Sequence, residues 1–289
     1  MTRKPRGRTI VDFEVAHGQP KIKRMERELA VEREKVAALA GKKERVTVIP
    51  VSDKNTIRFA AFGDTQFGNL YACPENLDAF FRAAREAGCE IALHSGDVLD
   101  GWKVYRGQEF ELRDVGFDAQ IERLKREAPH GLPVKFITGN HDASFKSQIG
   151  IDVGKAIEDA VPEWECVGAD FGTVELRTAS GRPYRVDLYH LRGGTSYAVS
   201  HRIQKSIEQI EGGRKPNMAL YGHFHKAELM PSYRNVSAVQ TGAFEWQTPF
   251  MKGIPTAAHV GGWIIEVTPG DTYNRVRAEF IAFYRERDK

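Results

Sequence analysis

The chain has 289 residues, of which 41% are hydrophobic and 28% are charged, a composition that is ordinary for a soluble globular protein. Its three scattered cysteines argue against a disulfide framework and fit a reducing compartment, and no stretch has the length of a signal peptide or a membrane span, so we expect a cytoplasmic protein without membrane contact. The net charge of +3 hides an asymmetry, because residues 1–50 carry 13 basic and 7 acidic side chains, a local surplus of +6.

The first 50 residues are predicted to form a basic, partly helical extension ahead of one domain at residues 51–289. Residues 21–40 have apolar side chains at heptad spacing from Ile22 to Leu39, and Gly41 follows as a stop signal. Such a helix packs on its own domain or pairs with a second subunit. The basic surplus is typical of an arm that binds DNA or RNA, of one that binds an acidic partner, or of a solvated tail.

From about residue 50 the sequence alternates between apolar runs and helical patterns. We predict strands and helices in this order: strand Ile57–Phe62, helix Glu75–Ala87, strand Ile91–Leu93, helix Phe117–Ala128 and strand Val134–Ile137. Each of these strands stops where a polar motif begins. In open α/β sheets ligands bind outside the carboxyl ends of the strands, so the motifs are expected on one rim.

The second half is richer in strands. Thr173–Leu176 and Arg185–Tyr189 are predicted as a pair joined by a turn at Ser180 and Gly181. The remaining predicted elements are a helix at Tyr197–Glu211 and strands at Met218–Tyr221, Val236–Gln240, Trp263–Val267 and Val276–Phe283.

Four short motifs carry the chemistry. They are GDTQ at Gly63–Gln66, GDVLD at Gly96–Asp100, GNHD at Gly139–Asp142 and GHFH at Gly222–His225, with a lone His190 at a strand end between the last two. Their side chains supply carboxylate, amide and imidazole groups without a thiolate, a set that suits Mn, Fe, Zn or Ni. The order predicts a two-metal hydrolytic site, in which ions about 3.5–4 Å apart hold a phosphoryl oxygen and activate water.

Spacing within the motifs supports this hypothesis. Asp64 and Gln66 are two residues apart, as are His223 and His225, and residues two apart in an extended chain lie on one side. Asp97 has two carboxylate oxygens and can bridge a second ion. His201 competes with His190 as a ligand, but it lies in a helical stretch.

The motifs together resemble the calcineurin-like metallophosphoesterases, whose pattern is D-x-H, GDxxD, GNH[D/E], a lone H and GHxH. The resemblance covers residue 57 to about 245 and implies a four-layer αββα sandwich, an α/β (α+β) fold in which helices flank two mixed sheets. Carried over by position, it implies a first metal on Asp64, Gln66 and His225. It also implies a second metal on Asn140, His190 and His223, with Asp97 bridging both ions.

The same resemblance assigns two catalytic residues. His141 matches the histidine that contacts the scissile phosphate and protonates the leaving group, and Asp142 matches the acidic residue that orients it. Gln66 departs from the pattern, which usually has histidine there. An amide oxygen is a weaker ligand than imidazole, so the occupancy and identity of the first metal are open, with Mn²⁺ the expected ion and added Mn²⁺ an expected requirement.

Residues around the motifs bear on the substrate. Arg192, followed by two glycines, either clamps a phosphate or belongs to an ordinary loop. The aromatic residues that follow the second motif either form a stacking wall near the site or belong to the core, and the same alternatives hold for Trp246 and Phe250 on the other side. The aromatic and cationic residues after the second motif are Trp102, Tyr105 and Arg106.

Three functions remain open at this level. The first is a nuclease or phosphodiesterase acting on nucleic acid, similar to the exonuclease branch of the family, which the basic arm favours. The second is a small-molecule nucleotide, cyclic-phosphodiester or protein phosphatase. The third is a non-catalytic scaffold on the same fold, which the retained His141 and the near-complete ligand set argue against.

Overall fold

The computed structural model describes residues 46–194, 196 and 198–285. The predicted helix at residues 21–40 lies outside the described residues, as does the extension up to residue 45. No helix in the described ranges is long and apolar enough to cross a membrane.

The first of two six-stranded sheets carries the three predicted N-terminal strands at its centre. Its strands β2, β3, β4 and β5 are parallel neighbours, and β11 and β12 extend it antiparallel from β2. The strands span Ile57–Phe62 (β2), Ile91–His94 (β3), Val134–Thr138 (β4), Trp164–Ala169 (β5), Gly261–Pro269 (β11) and Asn274–Ala282 (β12). Because β2, β3 and β4 run in the same direction, their carboxyl ends meet at one edge.

The second sheet is also mixed. Its order is β1-β6-β7-β8-β10-β9, in which β1–β6, β7–β8 and β8–β10 are parallel pairs and β6–β7 and β10–β9 are antiparallel pairs. The strands span Val46–Pro50 (β1), Phe171–Arg177 (β6), Pro183–His190 (β7), Met218–Gly222 (β8), Ala227–Tyr233 (β9) and Val236–Thr241 (β10). The two sheets are joined by a single residue pair, Ala169 with Phe171, between β5 and β6.

Within residues 46–285 as described, six α-helices and one 3₁₀ turn accompany the strands. The helices are α1 (Pro74–Glu86), α2 (Phe117–Glu127), α3 (Asn140–Ile149), α4 (Val153–Ala160), α5 (His201–Gln209) and α6 (Pro249–Gly253), and the turn is Gln108–Phe110. Helix α1 shows why such segments form: Pro74 stands in its first turn, and the apolar side chains of Leu77, Phe80, Phe81 and Ala84 recur on one buried face.

Three apolar clusters define the layers. One cluster lies between helices α1, α2 and α4 and the outer face of the first sheet. A second cluster contains inward residues of both sheets, such as Phe59, Leu93, Val186 and Leu220, and fills the space between them. A third packs Ile203 and Ile207 of α5 on the outer face of the second sheet. The predicted four-layer αββα sandwich is therefore confirmed.

Several observed elements differ from the predicted ones. Residues 46–50, assigned above to the extension, form strand β1, whose β-branched residues pair with β6. The helix expected at Tyr197–Glu211 begins only at His201 and ends at Gln209. Elements without a prediction include α3, α4, α6, β5 and β9, which are short or lack a clear period. The predicted hairpin turn is present, with Gly181 at a φ of 86°.

Candidate metal centre

Both sheets deliver polar loops to one rim. Strands β2, β3 and β4 of the first sheet end at the first three motifs, and β7 and β8 of the second end at His190 and at GHFH. The loops are tied to each other: Asp64 N donates to Gly96 O (2.9 Å), and His223 N donates to both carboxylate oxygens of Asp64 (3.1 and 3.0 Å). The last contact joins residues from different sheets.

At two motif positions the neighbouring loop comes so close that only glycine fits. A Cβ atom at Gly139 would lie 2.2 Å from Asp97 Oδ1, and one at Gly222 would lie 2.5 Å from Ser95 O. Real Cβ atoms do not come that close to other heavy atoms, so any side chain at either position would push the loops apart.

The backbone at five candidate ligands is left-handed, which non-glycine residues seldom adopt. The φ angles are 49° at Asp64, 47° at Gln66, 57° at Asp97, 84° at His223 and 52° at His225. The paired residues therefore do not lie on an extended strand, and the strand alternation invoked from the sequence was the wrong reason for their proximity. Tight turns after β2 and β8 produce it. Such backbone strain concentrates at functional sites.

Four of the predicted ligands converge at one point. His190 Nε2 lies 3.0 Å from Asp97 Oδ2 and 3.1 Å from Asn140 Oδ1. Ligand atoms of Asp97, His190 and His223 all lie within 4.8 Å of one another, close enough to share one metal ion. This group corresponds to the second metal position implied by the resemblance.

Backbone carbonyls set the tautomers of both histidines at this point. His190 Nδ1 lies 2.9 Å from Ser95 O, and His223 Nε2 lies 2.7 Å from Gly193 O. A carbonyl oxygen only accepts, so these nitrogens carry the hydrogen, and the other ring nitrogen of each histidine is the one that a metal ion would bind. Ligating histidines are commonly held in this way.

The resemblance assigns Asp64, Gln66 and His225 to the first metal position. His225 Nε2 lies 3.3 Å from Asp64 Oδ1, and Gln66 Nε2 donates to Asp97 Oδ2 at 3.4 Å. Within the described part of the chain, the buried Gln66 Oε1 has no hydrogen-bond partner. An unpartnered buried amide oxygen is costly unless something binds it, and a divalent cation in this position would do so. The donor set thus fits two metal ions.

The charges at the centre are strongly coupled. Burial by itself would raise the pKa of Asp97, but the imidazoles of His190 and His141 outweigh it and hold that pKa well below its usual range. Burial lowers the pKa of His190, whereas Asp97 raises it, and the result is a pKa of about 9. Asp97 is therefore ionised, and its negative charge favours positive charge on the groups around it.

His141 lies beside the centre, half-buried. Its backbone N–H donates to Asp97 Oδ1 (2.8 Å), and its Nδ1 donates to Asp100 O at 2.6 Å. This leaves Nε2 for a ligand. Burial lowers the pKa of His141, but Asp97 and Asp100 raise it to about 10, so the ring holds a proton that it can donate.

Asp142 does not take the orienting position expected from the resemblance. Its carboxylate accepts hydrogen bonds from the backbone N–H groups of Val98 (3.1 Å), Leu99 (2.8 Å) and Gly139 (2.9 Å). The contacts to the His141 ring come from Asp100, through its carbonyl oxygen and through Oδ1 at 3.5 Å. Asp142 instead fastens the GDVLD loop to the start of α3.

Arg192 binds Asp170 and does not line the cavity over the candidate metal ligands. Its guanidinium forms an ion pair with Asp170, at 2.8 Å from Nη2 to Oδ2, and its side chain is largely exposed. Gly193 and Gly194, not Arg192, line the cavity above the metal ligands. Arg192 therefore does not form the predicted phosphate clamp, because its guanidinium binds Asp170 instead.

The other histidines lie outside the ligand set. His201 is exposed at the start of α5, with its Nδ1 near Ser196 Oγ. His94 is fully buried and packs beneath the centre, where its Nε2 lies 3.0 Å from Thr65 Oγ1 and its Nδ1 accepts from Gly96 N at 3.1 Å. Burial lowers the pKa of His94 to about 3, so the ring is neutral.

A cavity of about 330 Å³ opens over the metal ligands and His141. Its far wall is mostly apolar and includes Tyr105 and Phe250, whose rings stack with centroids 4.1 Å apart and planes 21° apart. Trp246, grouped with them in the sequence analysis, packs against the core instead. Trp102 and Arg106 line a separate surface depression with Tyr105.

Sequence reasoning missed two buried acids at this cavity. Glu245 lines it, with Oε2 3.5 Å from His225 Nδ1, and burial together with Asp100 raises its pKa well above the usual value. Glu111 lies behind the aromatic wall and accepts hydrogen bonds from Tyr105 and Phe250. Neither acid belongs to a motif, and only the fold brings them to the site.

Comparison with solved structures finds proteins with similar folds at low identity. Vacuolar Protein Sorting 29 from Cryptosporidium parvum is 14% identical (TM-score 0.40) over 79% of this chain and 100% of that one. A 5'-nucleotidase from Candida albicans is 12% identical (TM-score 0.39) over 83% of this chain and 53% of that one. A dimetal phosphatase from Danio rerio is 10% identical (TM-score 0.38) over 79% and 98%.

No curated protein matches the chain. The sequence model of one protein family does match, and it does so over residues 57–227, more than half of the chain. That stretch holds all four motifs and His190. The chain belongs to the calcineurin-like phosphoesterase family.

Proposed function

We propose that this protein is a two-metal phosphodiesterase that acts on nucleic acid. The observation that supports the proposal is the cluster of Asp97, His190 and His223, whose ligand atoms lie within 4.8 Å of one another, beside a buried Gln66 Oε1 that has no partner among the described residues. Two bound divalent ions would polarise a phosphoryl oxygen and activate water. Asp64, Gln66 and His225 would hold one ion, Asn140, His190 and His223 the other, and Asp97 both.

The residues of the chain supply the rest of the chemistry. His141, held by Asp100 through its Nδ1, would use its Nε2 to donate a proton to the oxygen of the leaving group. The turns after β2, β3 and β8 fix the ligands before substrate arrives, which lowers the cost of ordering them.

The cavity favours a diester over a monoester. Among the described residues that line it, none is Lys or Arg, so no ammonium or guanidinium group faces the second negative charge of a phosphate monoester. The apolar wall instead offers a place for the second ester group of a diester. A scaffold without catalysis would not need a tautomer-fixed His190 or a protonated His141 beside the ligands.

The test is a substrate panel with metal analysis. Protein reloaded with Mn²⁺ should contain about two ions per chain and hydrolyse bis-p-nitrophenyl phosphate and single-stranded DNA faster than p-nitrophenyl phosphate. Asp97→Asn should lower both metal content and turnover, because one change removes the shared ligand. Asp118→Asn, an exposed carboxylate on α2, is the matched control.

The alternatives predict different results. A preference for p-nitrophenyl phosphate or a free nucleotide would replace the proposal with a small-molecule or protein phosphatase. Full metal content in Asp97→Asn would contradict the ligand assignment, and metal-loaded protein inactive on the whole panel would favour a scaffold.

A further inference from the structure

Tyr105 and Phe250 form a stacked pair on the cavity wall next to His141. The ring of Tyr105 lies 6.2 Å from that of His141, centroid to centroid. Phe250 remains 40% exposed although one of its faces meets Tyr105, so ring surface stays open at the cavity. This open ring surface lies on the wall of the cavity beside His141, where a flat ligand could stack on it.

Glu111 locks the pair in place. Its Oε2 accepts from the Tyr105 hydroxyl and its Oε1 accepts from the backbone N–H of Phe250, both at 2.7 Å. Glu111 is itself buried, and its carbonyl accepts from Leu70 N at 2.8 Å. Glu111 thus holds the Tyr105 hydroxyl and also the backbone of Phe250, which lies 139 residues further along the sequence. A wall prepared in this way loses little entropy when a ligand binds.

The chemistry of the wall selects a flat, uncharged ring. The neighbouring surface from Met251 and Ile254 is apolar, and the cavity of about 330 Å³ has room for one nucleoside but not for a base pair with its two backbones. Bases stack on aromatic side chains whatever their sequence.

We propose that Tyr105 and Phe250, positioned by Glu111, hold one unpaired nucleobase on the leaving-group side of the scissile diester. The side follows from the neighbour of Tyr105, since His141 is the group placed to protonate the leaving oxygen. This inference rests on the proposed function and narrows its substrate to a single-stranded nucleic acid or its unpaired end.

The experiment compares two diesters that differ in one base. The first is the thymidine dinucleotide, and the second has an abasic tetrahydrofuran in place of the leaving nucleoside. The wild-type protein with Mn²⁺ should prefer the first by about 5- to 150-fold in kcat/KM, the range expected for one stacked base. Phe250→Ala should bring this ratio close to one, mainly through KM.

Variants at Glu111 separate positioning from mere stability. Glu111→Ala should lower the preference, whereas Glu111→Gln should retain most of it, because an amide can still accept from Phe250 N and pair with the Tyr105 hydroxyl. Phe110→Ala is the matched control, since Phe110 is 82% exposed on the adjacent 3₁₀ turn and does not line the cavity. Its preference should equal that of the wild type.

Binding gives a readout that does not need turnover. A methylphosphonate dinucleotide with 2-aminopurine on the leaving side should lose fluorescence on binding to the wild type, and much less on binding to Phe250→Ala. Equal hydrolysis of the two diesters by the wild type, or unchanged quenching in Phe250→Ala, would overturn the proposal that Tyr105 and Phe250 hold the base. Failure to cleave either diester while quenching persists would instead count against the proposed function alone.

Discussion

At the scale of single residues, Gln66 shows how this centre departs from the family pattern. Its amide nitrogen donates to Asp97, while its oxygen is buried and, among the described residues, unpartnered. The amide therefore ties the first metal position to the shared ligand.

His141 is the residue whose role can be isolated most cleanly. His141→Gln should lower turnover of a diester with an alkyl leaving group by about 10²–10⁴-fold, because the proton donor is lost while the metal ligands remain. Steady-state kinetics with metal analysis would check this. The same variant should lose much less activity on a p-nitrophenyl ester, whose leaving group needs little protonation, and an equal loss on both would contradict a general-acid role.

At the scale of elements, buried polar side chains join the strand-end loops. Asp142 fastens the GDVLD loop to helix α3 through three backbone N–H groups, and His94 joins the loops after β2 and β3 through Thr65 and Gly96. Both connections lie directly under the metal ligands. The geometry of the centre therefore depends on contacts that touch no metal.

Asp142→Asn should cost about 2–4 kcal/mol of unfolding free energy. The asparagine side chain has one oxygen for three N–H donors, and its own NH₂ faces a donor, so buried groups lose their partners. Urea unfolding of the metal-free protein measures the loss, with Asp118→Asn as the exposed control. A midpoint within error of the wild type would show that the three contacts contribute little.

His94 should make the metal-free protein sensitive to mild acid. Its pKa is about 3 in the folded protein and about 6.5 in an unfolded chain, so below pH 6.5 only the unfolded chain gains a proton. Stability should then fall as the pH drops from 6.5 towards 5, on the order of 1 kcal/mol per pH unit.

Replacing this histidine isolates its share. His94→Gln should be less stable than the wild type at pH 7 but should show a shallower loss between pH 6.5 and 5, measured by urea unfolding in EDTA. His201→Gln, an exposed position, should keep the wild-type slope. Parallel slopes in wild type and His94→Gln would rule out His94 as the acid-sensitive group.

At the scale of the whole molecule, the basic surplus lies apart from the centre in sequence. The +6 surplus belongs to residues 1–50, whereas every candidate ligand lies beyond residue 60. Because β1 pairs with β6, a truncation that spares the domain must keep Val46. We expect the arm to add affinity for nucleic acid without changing the chemistry.

Removal of residues 1–45 should weaken DNA or RNA binding and make its salt dependence shallower, because fewer phosphate contacts release fewer counterions. Turnover of bis-p-nitrophenyl phosphate and the metal content should stay unchanged. Titrations at several salt concentrations, with light scattering for mass, would decide the matter. A fall in mass with unchanged nucleic-acid affinity would mean that the arm joins subunits.

The sequence by itself determined the class of chemistry and the layers of the fold. GDTQ, GDVLD and GNHD follow apolar runs, and the carboxyl ends of neighbouring parallel strands meet, so the sequence predicts these three motifs at one rim. Local patterns of this kind are readable because ligand type and strand periodicity are carried by adjacent residues.

Only the tertiary structure decided which residues touch. In the folded chain Arg192 pairs with Asp170, and the ring of His141 donates to Asp100. Glu111 accepts hydrogen bonds from Tyr105 and Phe250. These contacts depend on loop conformations with positive φ and on segments far apart in the chain, which leave no local pattern to read. The physical reason is that side-chain partners are chosen by packing in three dimensions, after the strands have placed the loops.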